Sequence, residues 1–482
     1  MNVDFTLLIP EFILAGVGLL VLLVDMVLPT RWEHRRNAVT ATTAAVGLAA
    51  VFAVALVTQA DTRTFLYDRL RYVDRYSLLF KALFTGVGFA VVLMSVDYVG
   101  RKMSHPGEYY ALVVFAVLGA DLMASSGELL TAFISIELLS FSLYVLVALA
   151  RGDRRSAEAS TKYILLGAIS SAVMLYGISL LYGAIGATAF SAMTPHLGAI
   201  MPLTVILGLV MFVAGLAFKL SIAPFHLWAP DVYEGSPTPI TALIAVLSKA
   251  AAFALLLRFL AEAAPNAVGE WQLPLAILAA LTMTVGTLTA LAQTNIKRLL
   301  AYSSIAQVGF VLVGVVALSE AAANAVLLHL VGYAFTNMAA FMVVIAVEAR
   351  TGKEEVAGYA GLASRNPFLA MVMTASLFSL AGLPIFAGFI TKFYLFTAAS
   401  DAGLLWLAAI AIVNSVISLY YYLRVVREMY IGEPGESGRV PVPLLGMTVL
   451  WLLFAGTVAV GVYPGPLVDA VDAATDVLTP FI

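Results

Sequence analysis

A chain of 482 residues that is 62% hydrophobic and 11% charged departs from soluble domains, where about 45–50% of residues are apolar and about 25% charged. It reads as a polytopic membrane protein. Cysteine is absent, which excludes disulfides and Cys-ligated zinc or iron–sulfur clusters within the chain, and the net charge of -3 says less than its distribution among the loops.

In chain order, apolar runs fall at residues 5–29, 37–59, 75–98, 108–126, 128–150, 160–184, 201–231, 238–260, 272–293, 301–318, 322–349, 367–399, 403–426 and 443–463. Each is near or above the roughly 20 residues that cross a bilayer, so the expected fold is all-α with about 14 transmembrane helices. No polar stretch is long enough for a separate globular unit, and the whole chain, 1–482, is expected to form one transmembrane domain. The first run lacks a cationic leader and is expected to stay as a helix rather than be cleaved. The short alternating strands of a membrane barrel are not the pattern here.

Lysine and arginine set the expected orientation. With the N-terminus outside, the inner loops collect Arg35, Arg36, Arg101, Lys102, Arg154, Arg155, Lys297, Arg298, Arg350, Lys353, Arg424 and Arg427, among others, while the outer loops hold only Arg63, Arg69, Arg71 and Arg75. This asymmetry fits the positive-inside rule and places both termini outside. The remaining cations, Lys81, Lys219, Lys249, Arg258 and Lys392, lie within spans. Lys81 and Arg258 are near span ends and are expected to snorkel to an interface.

Lys219 and Lys249 sit near the middle of their spans, where a charge costs roughly 2.5–3.5 kcal/mol on the lenient insertion scale. Such residues are functional candidates. Glu137, near the midpoint of the fifth span, is the opposite charge expected to pair with Lys219. Spans 7 and 12 are overlong, and each contains an internal proline, Pro224 and Pro384, and a lysine, Lys219 and Lys392. Broken helices survive in a bilayer only where protein or a water-filled cavity satisfies the freed backbone groups. Two such spans five apart imply inverted repeats, 108–260 (spans 4–8) and 272–426 (spans 9–13), as in transporters whose ion sites lie at broken helices. On this plan Lys392 is the lysine nearest the outer face.

Glu137, Lys219, Lys249 and Lys392 together make sense as a proton relay, because burial and a neighbouring carboxylate act oppositely on a lysine's proton affinity. His226, beside Pro224, and His329, in span 11, are secondary relay candidates. The histidines have no HExxH spacing for zinc, and no P-loop is present. Glu11, Asp25 and Asp121 read as interfacial or capping acids.

Four stretches carry a family resemblance: ELLTAFISIELLSFSLYVLVAL (128–149), HLWAPDVYEGSPTPITALIAVLSK (226–249), QTNIKRLLAYSSIAQVGF (293–310) and AGLPIFAGFITKF (381–393). They closely resemble the antiporter-like subunits of proton-pumping NADH:quinone oxidoreductase, respiratory complex I, in the form called subunit N. The resemblance implies that Glu137, Lys219, Lys249 and Lys392 are the relay residues. It also implies sibling antiporter-like subunits as partners in an energy-converting membrane such as the bacterial plasma membrane. Quinone, NADH, FMN and iron–sulfur clusters would belong to partner subunits, with no cofactor, metal or nucleic acid bound by this chain. Asp121 departs from the uncharged residue the resemblance would place there. Mrp-type cation/proton antiporter subunits share the glutamate and lysine plan and are the first alternative. A passive membrane scaffold of a redox complex is the second.

Overall fold

The computed structural model describes residues 5–29, 33–60, 62–67, 69–150, 152–198, 200–433 and 438–479. The extreme termini, expected on the outer side, lie outside them. The helices are α1 (Ile9–Val27), α2 (Glu33–Gln59), α3 (Arg75–Lys102), α4 (Pro106–Ala124), α5 (Leu129–Ala148), α6 (Arg154–Ile185), α7 (Phe190–Met193), α8 (Leu203–Leu220), α9 (Trp228–Gly235) and α10 (Thr238–Leu243). After a π turn at Ile244–Ser248 come α11 (Lys249–Ala263), α12 (Val268–Ala290), α13 (Ile296–Ala317), α14 (Glu320–Thr351), α15 (Leu362–Arg365), α16 (Pro367–Ala381), α17 (Ala387–Asp401), α18 (Leu405–Ile431), α19 (Leu444–Val462) and α20 (Gly465–Thr475). A small antiparallel hairpin, β1 (Thr64–Leu66) and β2 (Arg71–Val73), pairs Thr64 with Val73.

Among the described residues, 13 helical segments are long and apolar enough to cross a bilayer. The span at 367–399, expected to be broken, is split between α16 and α17. The chain is therefore an all-α polytopic membrane protein whose seventh and twelfth spans are broken. The order of three helices, a broken helix and a further helix occurs twice, as α4, α5, α6, α8 with α9, and α10 with α11, then as α12, α13, α14, α16 with α17, and α18.

Local chemistry fixes the helix boundaries. Asp74 starts α3 with a capping box, accepting from the Ser77 amide while Ser77 Oγ accepts from Asp74 N–H, which satisfies two otherwise orphaned donors. Asn295 and Asn366 cap α13 and α16 through their side-chain oxygens. The helix breaks are made differently. Gly382, at φ 86°, ends α16, and its N–H and that of Leu383 fold back onto Phe378 O, an ending that favours glycine. At the end of α8 the left-handed position falls on Ser221, at φ 62°, a conformation costing a non-glycine residue of order 1–3 kcal/mol. The Ala223 N–H in this break donates to Thr282 Oγ1 at 3.0 Å.

The chain forms two compact units, one of Met1–Leu220, Leu247–Gln272 and Ala470–Ile482, the other of Ser221–Val246 and Leu273–Asp469. In the first, α4 packs on α5 and α1, α2 on α3, and α6 on α8. In the second, α14 packs on α16, α17 and α19, and α13 on α17. The span containing α10 and α11 is wholly buried, and α13 and α14 nearly so, while α6, α18 and α19 leave large apolar side chains such as Ile169, Val416 and Leu452 exposed. Exposed apolar faces on membrane helices are the surfaces lipid solvates.

Candidate proton relay

In the first unit, α5 presents Glu137, Ser140 and Tyr144 at helical spacing toward α6 and α8. Lys219, in the last turn of α8, donates to Ser140 Oγ at 2.7 Å and to Tyr144 OH at 3.2 Å. Its Nζ also lies 5.6 Å from the centre of the Tyr144 ring. Glu137 Oε1 accepts from Ser171 Oγ on α6 at 2.5 Å. Among the described residues Glu137 and Lys219 form no direct salt bridge, and each is held by hydroxyls of its own, Lys219 by Ser140 and Tyr144 and Glu137 by Ser171. Gly167 on α6 makes the room, since a Cβ there would lie 1.9 Å from the Tyr144 hydroxyl oxygen.

Lys249 follows the π turn directly, and such turns recur at functional sites. Its Nζ donates to the carbonyl of Leu220, the last residue of α8, at 3.2 Å. That carbonyl is one of the acceptors a helix end leaves without an intrahelical partner. Lys219 belongs to the last turn of α8, and Lys249 donates to the oxygen that ends the same helix.

The second unit repeats this arrangement with other residues. Lys392 on α17 donates to Leu380 O, at the end of α16, at 2.8 Å and to Ser415 Oγ on α18 at 3.0 Å. Ser415 in turn donates to Ala381 O at 2.8 Å, and Gln307 Nε2 from α13 shares Leu380 O at 2.9 Å. The ammonium lies 4.3 Å from the centre of the Phe310 ring. It borders a cavity of about 330 Å³ also lined by Phe389, Phe393, Ile412, Ser415 and Leu419.

Both candidate histidines are buried. His329 Nδ1 shares a hydrogen bond with Thr391 Oγ1 at 2.9 Å, next in sequence to Lys392, while its Nε2 has no partner among the described residues. Its ring stacks on that of Tyr333, whose hydroxyl donates to Ser304 Oγ at 2.8 Å and accepts from Asn337 Nδ2 at 2.9 Å. His226 lies in the break after α8, and its Nδ1 has no partner among the described residues.

Two cations expected at an interface are instead buried. Arg258, 1% exposed, sits between the rings of Tyr72 and Tyr76, bonds both carboxylate oxygens of Asp74 at 3.0–3.1 Å and reaches Glu262 at 3.3 Å. Burial alone would push the Asp74 carboxyl up, but Arg258 and the Ser77 hydrogen bonds hold it below the usual carboxylate range. Lys81, also 1% exposed, bonds Glu11 and Gln59. Glu11 and Asp121, expected to be interfacial or capping, are buried with it. Asp25 does pair as a boundary acid, with Arg36 at 2.9 Å. Both buried cations stay inside because acids from other elements neutralise them there, so neither stem must reach water.

Among the described residues no group of three His, Asp or Glu side chains is placed to hold a metal ion.

The family model described as NADH:quinone oxidoreductase/Mrp antiporter, TM, matches residues 126–418. The NADH-quinone oxidoreductase subunit N of Heliobacterium modesticaldum is 41% identical over 474 residues, covering 98% of this chain and 99% of that protein. A chain of respiratory complex I from Thermus thermophilus superposes with a TM-score of 0.80 at 34% identity, covering 96% of this chain and 99% of that one. A chain of the Mrp complex from Dietzia sp. shares the fold, with a TM-score of 0.84 at 22% identity over 98% of each chain.

Proposed function

Because the chain belongs to the NADH:quinone oxidoreductase/Mrp antiporter transmembrane family, we propose that it is the proton-translocating subunit N of an NADH:quinone oxidoreductase in a bacterial plasma membrane. It moves protons outward through Glu137, Lys219, Lys249 and Lys392, with His226 and His329 as secondary stations. Quinone reduction occurs in partner subunits, which carry the FMN and iron–sulfur clusters that oxidise NADH. The sibling antiporter-like subunits lie beside it in the membrane. The relay spans two inverted repeats, 108–260 and 272–426, with both termini outside.

The observation that carries this reading is the repeated seating of a lysine on the terminal carbonyls of a broken helix, Lys249 on Leu220 and Lys392 on Leu380. Lys219 and Lys392 are also held by the hydroxyls of Ser140, Tyr144 and Ser415. An ammonium bound to neutral oxygens can release one proton and keep its place, because the remaining N–H groups still donate to the same acceptors. A carboxylate partner would favour the charged form instead. Moving Glu137 relative to Lys219 therefore alters the charge felt by that lysine without rebuilding its hydrogen bonds.

The near full-length likeness to subunit N relatives supports this assignment over an Mrp antiporter, for which the likeness reported above is one of fold alone. The test is proton pumping by the intact complex in sealed vesicles with Lys392→Ala, scored beside quinone reduction. Loss of pumping in an assembled complex is expected. Wild-type pumping would remove Lys392 from the path.

A further inference from the structure

The first unit buries a second set of charges that the relay does not use. Glu11 on α1, Arg71 on β2, Lys81 on α3 and Asp121 on α4 converge, with the Gln59 amide from α2 closing the group. Glu11 is 6% exposed and Asp121 0%.

The two cations do not serve the two acids equally. Arg71 Nη2 and Lys81 Nζ both contact Glu11 Oε1, and they reach Asp121 Oδ2 only at 3.4 and 3.6 Å. Asp121 Oδ1 and Glu11 Oε2 are buried and have no hydrogen-bond partner among the described residues. The two carboxyls face the same Arg71 Nη2 and Lys81 Nζ. A buried acceptor without a donor costs about 1–3 kcal/mol, and two carboxylates crowded into one site disfavour joint ionisation. One proton removes both defects. Among the described residues these two acids have no third His, Asp or Glu beside them with which to hold a metal ion.

We propose that Asp121 and Glu11 form a proton-binding site distinct from the lysine relay. A proton adds to the Asp121 carboxylate, and the resulting O–H donates to Glu11. No other bond is made or broken.

The site is connected to the relay helix by a short segment of chain. Arg71, on β2, precedes Asp74, whose carboxylate holds Arg258 on α11, the helix that begins at Lys249. Glu262 faces the same guanidinium from the next turn. Loading the pair changes the charge beside Arg71, three residues before the acid that holds Arg258. The binding site itself rests only on this geometry, so it stands or falls apart from the relay.

The test is infrared difference spectroscopy of the intact complex in lipid, titrated with acid and base. The expected result is a carbonyl band of a protonated carboxylic acid that shifts in D2O, is lost in Asp121→Asn and moves in Glu11→Gln. Wild-type complex isotope-labelled at the aspartate carboxyl carbon needs no substitution, and its band is expected to shift with the label. An absent band, or one unmoved by the label and present in Asp121→Asn, would overturn the proposal and leave a static ion cluster. Vesicle pumping is a separate readout, so this site and the lysine relay can fail independently.

Discussion

The Lys249 ammonium lies 3.2 Å from the carbonyl oxygen of Leu220, so the residue at the start of α11 supplies a donor to the end of α8. A helix terminus buried in a membrane protein needs such a donor, since hydrocarbon supplies none. The break in the seventh span and the central lysine are therefore parts of one construction. Removing the lysine alters the break as well as the charge.

Lys249→Arg separates these roles. Arginine keeps a donor for Leu220 but does not deprotonate in proteins, so the variant is expected to assemble and to lose pumping. Pumping and quinone reduction in sealed vesicles, with assembly checked on native gels, decide the matter. Full pumping would show that Lys249 need not release its proton.

Gly167→Ala is expected to disturb Lys219 without touching it. The added Cβ would stand 1.9 Å from the Tyr144 hydroxyl oxygen, so the ring must shift and draw away from the ammonium. Overpacking of this kind costs about 1–3 kcal/mol. Thermal denaturation of the purified complex should show the loss, and pumping should fall while Tyr144→Phe, which removes only the hydroxyl, falls less.

The Asp74–Arg258 pair is structural in this account. Asp74→Asn leaves a buried guanidinium poorly compensated and is expected to cost about 3–5 kcal/mol. The Asp74 carboxyl is held below the ordinary range in the folded chain, so its contribution is present above the unfolded value and is lost as pH falls through the folded one. The stability gap between wild type and Asp74→Asn should therefore be unchanged from neutral to mildly acidic pH in thermal denaturation. A gap that closes on mild acidification would contradict the assignment.

The apolar runs announced the spans, and an internal proline with a lysine marked both helix breaks, because bilayer length and backbone satisfaction leave clear signals in a single sequence. The partners of the relay were less visible. Ser140, Tyr144, Ser415 and Gln307 are ordinary residues within apolar spans, and only the fold aims them at Lys219 or the end of α16. Glu11, Lys81 and Asp121 each read as interfacial or capping because they are far apart in the chain. Their joint burial depends on α1 to α4 packing together.

Ser415→Ala leaves Ala381 O without the donor seen here and deprives Lys392 of one acceptor. A loss of about 1–3 kcal/mol in thermal stability is expected, with pumping reduced but not abolished because Leu380 O still holds the ammonium. Abolished pumping at unchanged stability would instead place Ser415 in the proton path.

The central claim is that Lys219 passes protons rather than merely packing helices. Its most direct test is proton pumping by the intact complex in sealed vesicles with Lys219→Ala, measured beside quinone reduction after assembly is verified. Collapse of both pumping and coupled turnover in an assembled complex is the predicted result. Wild-type levels of both would contradict the claim and make Lys219 a packing charge.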